Sequence, residues 1–280
     1  MTFRPLTTSL ALAAGVVLAG PALAQDRATH FDGPYISIVG GLSAQGNDNR
    51  SDRLVFDTDG DGKYDDAVNT AAGANAFSPG FCGGVATGAT RADGCRGDKD
   101  KAEYGARIGF DKRSGNLVTG ALVEVSRSRS SDGVSGFSTT PAGYAFDREL
   151  DYAVSLRARA GYTPGGGALF YVTGGGSYAK IDHSFTTTNT ANAFDERRDG
   201  KMVWGWQAGG GTEIMVTDHV SLGLEYLYNR YDDSKYNVAV TQGTAAPTNP
   251  FILASSSTAM RPSDTKYDFH SLRASLGFRF

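Results

Sequence analysis

Beyond residue 24 the sequence has no apolar run near the roughly 20 residues that a membrane-crossing helix requires. Helical insertion is therefore excluded. A mean hydropathy of -0.29, with 40% hydrophobic residues, leaves either a soluble exported protein or a barrel whose strands alternate apolar and polar side chains. Cysteine is nearly absent: only Cys82 and Cys95 occur. In an oxidising compartment they read most economically as one bridge within a loop, and a zinc site would need further ligands nearby, which are missing. Excess positive charge is lacking as well. The formal charge is -3, which excludes the balance expected of a nucleic-acid-binding protein. No glycine-rich phosphate loop, metal-binding helix motif or nucleophile elbow is found.

The first residues read as a secretory leader. Arg4 supplies the positive end, Leu10 to Leu18 the apolar core, and Ala22-Leu23-Ala24 the small residues that cleavage needs. The reading is a signal peptide over 1–24 and a single barrel domain over 25–280. Among the residues present, 37 glycines, 13 tyrosines and 15 phenylalanines favour sheet over helix.

The clearest pattern is at the C-terminus. Leu272, Ala274, Leu276, Phe278 and Phe280 share one face of a strand, and Ser271, Arg273, Ser275, Gly277 and Arg279 share the other. The split recurs in Val220–Asn229, where Leu227 breaks it on the polar side, in Trp204–Val216, and in Leu150–Tyr162. Weaker copies run over Glu103–Asp111, Leu117–Arg127 and Ala168–Lys180, and Tyr35–Gly41 is a strand of ambiguous facing. This predicts an all-β, antiparallel transmembrane β-barrel of about eight strands. Nine residues at 3.3 Å each, tilted near 40°, cross roughly 23 Å, which matches the apolar belt of such barrels. Phe110, Tyr162, Phe278 and Phe280 belong at the periplasmic rim, and Tyr104, Tyr152 and Trp204 at the outer one.

Connections alternate in length. Lys112–Asn116, Pro164–Gly167 and Thr217–His219 are tight, whereas Ser43–Lys101, Ser128–Glu149, Asp182–Gly200 and Asp232–Lys266 are long. Short periplasmic turns with long extracellular loops are the outer-membrane arrangement, and a soluble sandwich has no reason to place every long loop at one end. Phe137–Pro141 and Phe185–Thr190 are polar and β-prone, and would extend strands above the membrane as a rim.

The run Ser271-Leu272-Arg273-Ala274-Ser275-Leu276-Gly277-Phe278-Arg279-Phe280 resembles the terminal strand of the OmpA-like and opacity-type (porin family) outer-membrane barrels. Gly105-Ala106-Arg107-Ile108-Gly109-Phe110 and Leu224-Glu225-Tyr226-Leu227-Tyr228 resemble the second and seventh strands of that family. The resemblance spans nearly all of the mature chain. It implies residence in the outer membrane of a Gram-negative cell, contact with membrane lipid and lipopolysaccharide, and a monomeric barrel. It also implies an assembly signal at Phe278 and Phe280 that the barrel-assembly machinery reads. The chain ends at Phe280, so a peptidoglycan-binding domain and a wall-tethering role are not expected.

The inward faces carry fixed charge: Arg107, Glu124, Arg157, Arg159, Glu213, Glu225 and Arg273. An eight-stranded interior is only wide enough for side chains to fill. Two readings stand, an ion-pair plug, with Glu225 level with Arg273 and Glu124 level with Arg157, or a narrow channel. In the first long loop Asp57, Asp59, Asp61 and Asp65 alternate around turn glycines as an oxygen shell for Ca²⁺ requires. Val68 stands where an EF-hand would place its bidentate Glu, so the run resembles the short acidic calcium loops of extracellular repeat proteins, with a solvated acidic turn as the alternative. No cofactor is required.

Catalysis finds little support. His219 and Ser221 with Glu225, or His270 with Ser271, superficially resemble the groups of lipid A deacylase barrels. However, His219 falls in a periplasmic turn, and adjacent strand residues point to opposite faces. His30 and His183 have no visible partners. The expectation is a non-catalytic barrel displaying braced surface loops for envelope integrity or for contact with an extracellular partner. The alternative is a small-solute, porin-like channel.

Overall fold

The computed structural model describes residues 30–45, 52–97 and 100–280; the signal peptide expected over 1–24 lies outside them. Eight strands form the barrel: β1 (Gly33–Ala44), β2 (Lys101–Ser114), β3 (Leu117–Ser128), β4 (Ala142–Tyr162), β5 (Ala168–Thr187), β6 (Met202–Met215), β7 (Val220–Asp232) and β8 (Lys266–Arg279). Each pairs antiparallel with the next, and β1 pairs with β8 to close the sheet, so Tyr35 lies opposite Arg279 and Ser43 opposite Ser271. Closure leaves this sheet without free edges through the membrane, where unpaired backbone groups would find no water.

The alternation sorts side chains as a lipid solvent demands. Ile36, Ile38, Ile108, Leu156, Val172, Leu224, Leu272 and Leu276 are exposed on the outside, while the intervening positions are buried within. A continuous apolar exterior of this kind is not tolerated in water and is the expected lipid face of a barrel. Register with β8 settles the facing of β1: Tyr35 and Val39 point in, and Ile36, Ile38 and Leu42 point out. Leu227 is fully buried on the lumen side.

The three short turns lie at one end. In the first, Gly115 adopts φ 61, the left-handed region that a side chain disfavours. At the other end β4 and β5, at 21 and 20 residues, outrun the 14-residue β2 and β8. A register shift between Lys180 and Ile181 marks where this pair leaves the barrel wall. Two expected loops are therefore shorter than read, because β4 begins at Ala142 and β5 runs on to Thr187. Phe185–Thr187 continue β5. Phe137 and Ser138 instead belong to a separate strand, Ser131–Ser138, laid along the upper half of β4, and Thr139–Pro141 make the turn between them.

All four long connections fold together above the barrel. Leu54–Asp57, Ala193–Arg197, Asn237–Thr241 and Ser257–Pro262 form one sheet, and Gly80–Gly83 pairs with the 131–138 strand. Leu54, Phe56, Phe77, Val134, Tyr144, Phe146, Val238, Phe251 and Met260 share a buried core, with Phe185 and Phe194 packed on it. This cap is braced by the Cys82–Cys95 disulfide, whose partners are 13 residues apart. Cross-linking a loop of about this length restricts the unfolded segment by roughly 3 kcal/mol. Reduction is expected to speed proteolysis between the two cysteines without changing the heat-dependent gel migration of the barrel.

Candidate functional site

The lumen is filled by successive side-chain layers. At the end of the short turns Phe31, Val118, Leu169 and Tyr171 pack together. Above them Arg159 bonds Asp111 and reaches Glu213 at 3.0 Å, and Arg279 reaches Asp111 at 2.9 Å and Glu213 at 2.8 Å. The guanidinium of Arg159 also lies 4.6 Å from the centre of the Tyr35 ring.

The next layer sets Arg107, Arg157 and Arg273 against Glu103, Glu124 and Glu225. Arg107 lies 3.1 Å from Glu225, Arg157 lies 2.8 Å from Glu124 and 3.3 Å from Glu225, and Arg273 lies 2.6 Å from Glu124 and 2.9 Å from Glu103. Tyr171 donates its hydroxyl to Glu225 at 2.9 Å. Glu225 and Arg273 are direct cross-strand neighbours. Glu124 is level with Arg107 on one side and Ser155 on the other, and Arg157 is level with Leu122, so its long side chain slants to reach Glu124. Positive and negative groups balance within each layer, which limits the large penalty of burying charge.

Glycines let the neighbouring strands approach closely beside two of these arms. Gly41 lies opposite Arg273 and Gly175 opposite Arg157. A Cβ at either would fall about 2 Å from the backbone oxygen of Leu272 or Leu156. Glu103, Asp111 and Arg279 complete the network beyond the residues singled out from sequence. Their signal was the same alternation, since Glu103 and Asp111 share the inward phase of Arg107, and Arg279 shares that of Arg273.

Further out, Leu150, Tyr231, Tyr267 and Phe269 form an apolar layer. At the junction with the cap Arg148 bonds Asp132 at 2.5 Å and Asp233 at 3.3 Å, and His183 lies 2.9 Å from Asp233 with its ring 3.8 Å from that of Tyr236. Burial beside Asp132 and Glu149 pushes the Asp147 carboxyl up to about 6, opposed by Arg96. The folded protein therefore holds a proton that the unfolded chain has released between about pH 4 and 6. The stability due to this group falls as pH rises through that window and is level above it. Asp147→Asn is expected to remove roughly 1 kcal/mol of that loss, less than the whole shift would give because solvent screens this half-buried carboxyl, read as denaturant midpoints of wild type and variant at pH 4.5 and 7.5.

In the acidic loop, Asp57, Asp59 and Asp61 bring carboxylate oxygens within 4.8 Å of one another, and Asp65 lies outside this group. Asp57 accepts the backbone N–H groups of Gly60 at 2.7 Å and Gly62 at 3.0 Å, and Lys63 Nζ sits 2.6 Å from Asp61. The turn thus closes on its own backbone and carries its own cation. The histidines are scattered. His219 Nδ1 lies 3.0 Å from the Arg279 carbonyl in the β6–β7 turn, Ser221 is buried in the lumen, and His270 contacts the outward Tyr226. His30 sits 3.2 Å from the Gly166 carbonyl. Phe278 and Phe280 lie outward with ring centroids 5.2 Å apart.

The family model described as "Outer membrane protein beta-barrel domain" matches residues 10–280. The chain belongs to this family. This outer-membrane barrel is 27% identical over 274 residues to the 31 kDa outer-membrane immunogenic protein of Brucella melitensis, covering 96% of this chain and 93% of that one. It is 35% identical over 89 residues to the 25 kDa outer-membrane immunogenic protein of Brucella abortus, which covers 31% of this chain and 36% of that one. Among solved structures it is similar to the outer membrane protein OprG from Pseudomonas aeruginosa, with a TM-score of 0.49, 13% identity, and coverage of 90% and 97% of the two chains. Membership places the barrel in the bacterial outer membrane, with its short turns in the periplasm and the cap outside.

Proposed function

We propose that this outer-membrane barrel is a non-conducting, non-catalytic scaffold that holds a folded cap at the cell surface for contacts with the surroundings. The observation that carries this reading is the continuous stack of side chains, from Phe31 through both charged layers to the cap core, along the axis a solute would have to follow. The Brucella relatives are named as immunogenic, which fits exposure of such a surface.

In planar bilayers the purified protein is expected to give no steady single-channel steps; regular ohmic steps would establish a channel instead. Display is tested separately by amine labelling of intact cells. Lys63 in the cap and Lys112 near the short-turn end of β2 have nearly equal side-chain exposure, 71% and 70%. Lys63 is expected to label and Lys112 to be protected until the outer membrane is permeabilised. Equal labelling of both would reject the orientation.

A further inference from the structure

Both tryptophans of the chain, Trp204 and Trp206, lie on β6 and point outward. Trp204 packs on Tyr178 with ring centroids 4.7 Å apart, and Trp206 on Tyr228 at 5.4 Å. Such rings settle at headgroup level, so this flank marks the outer membrane–water boundary. A cleft of about 320 Å³ adjoins Trp204, and Arg198, Lys201 and Lys235 are among its lining residues.

Asp232 and Asp233 also line this cleft, with Asp182, Asp199 and Glu196 nearby, and each has a partner, Glu196 accepting the Tyr236 hydroxyl at 2.6 Å. Asp232 holds Lys266 at 2.7 Å, and Asp233 holds Arg148 and His183. Asp182 pairs with Lys180 at 2.9 Å, and Asp199 accepts the His183 backbone N–H at 2.8 Å. Arg198, Lys201 and Lys235 are exposed, and no ion pair engages them among the described residues. Within the lining, three cations without an ion pair thus stand against two acids that are already paired, Asp232 and Asp233, beside an aromatic, lipid-facing flank.

We propose that this cleft binds the phosphorylated headgroup of an outer-leaflet glycolipid, with the acyl chains lying along Trp204 and Trp206. Cations above and apolar rings below match the polarity of such an amphiphile along the membrane normal. Lys and Arg supply charge-assisted hydrogen bonds to phosphate oxygens.

The test is native mass spectrometry of the folded full-length barrel in detergent, with chelator present to remove divalent bridges. The probes are bis-phosphorylated lipid A, its dephosphorylated form, and inorganic phosphate. Each cation near an anionic lipid contributes about a fivefold factor, so the triple variant Arg198→Ser, Lys201→Ser, Lys235→Ser is expected to lose roughly a hundredfold in affinity for phosphorylated lipid A. A control, Lys112→Ser at the opposite end, is expected to keep it. Heat-dependent gel migration verifies that each variant is folded. Equal binding by wild type and triple variant overturns the proposal. So does equal binding of the two lipids, which would mean an acyl belt alone, or binding of inorganic phosphate without the phosphorylated lipid.

Discussion

Glu225→Gln is expected to lower the unfolding free energy of the barrel by about 3 to 5 kcal/mol, the largest single effect available in the lumen. Glu225 lies on β7 yet serves Arg107 on β2, Arg157 on β4 and Arg273 on β8, and it accepts the Tyr171 hydroxyl. Its loss leaves three guanidinium groups facing two carboxylates in a space where Arg157 and Glu124 have no side-chain exposure. The cost arises from stranded charge more than from lost contacts. A compensating second change, Arg157→Met, is therefore expected to recover part of the loss although it removes further ion pairs. Reversible urea unfolding in lipid vesicles, followed by tryptophan fluorescence, measures both. A single-variant loss below about 1 kcal/mol, or no recovery in the double variant, would show that the layer tolerates net charge.

The second large effect belongs to the cap. Phe77 is 3% exposed, with its ring 4.6 Å from Phe56, 5.3 Å from Tyr144 and 5.8 Å from Phe251. Phe77→Ala creates a cavity costing about 3 to 5 kcal/mol. Because the loops share one core, the loss falls on all of them together. Cleavage within 188–201 and 233–265, distant in sequence from residue 77, is expected to accelerate by roughly a hundredfold or more. The barrel's heat-dependent migration stays unchanged, since its wall and lumen do not include Phe77. Cleavage confined to the first loop would mean that the loops fold independently. Val172→Ala, on the lipid face, serves as the control.

These two sites differ in how much of them was legible beforehand. The lumen charges were visible because a strand's period of two ties sequence position to facing: Arg107, Arg157 and Arg273 could point nowhere but inward once their neighbours met lipid. Their partners were less visible. Arg107 and Glu225 stand on strands that are not neighbours, and their 3.1 Å contact depends on closure of the barrel.

The facing of Tyr35–Gly41 was unreadable for a local reason. Val39 is apolar but inward, and Gly40 and Gly41 carry no polarity signal. Pairing with β8 decided it. The cap was the least legible part. Phe56 and Phe77 come from the first long connection, Tyr144 from β4 and Phe251 from the last connection, and they follow no repeat, so nothing in their spacing showed that they would meet.

The sequence alone thus determined the barrel, its inside and outside, and the side on which the long connections lie, because each depends on alternation or length along one strand or turn. The tertiary structure alone decided the ion-pair partners, the folding of four loops into one cap, and the meeting of Arg198, Lys201 and Lys235 beside Trp204. Each of these depends on contacts between segments far apart in the chain, which no local period encodes.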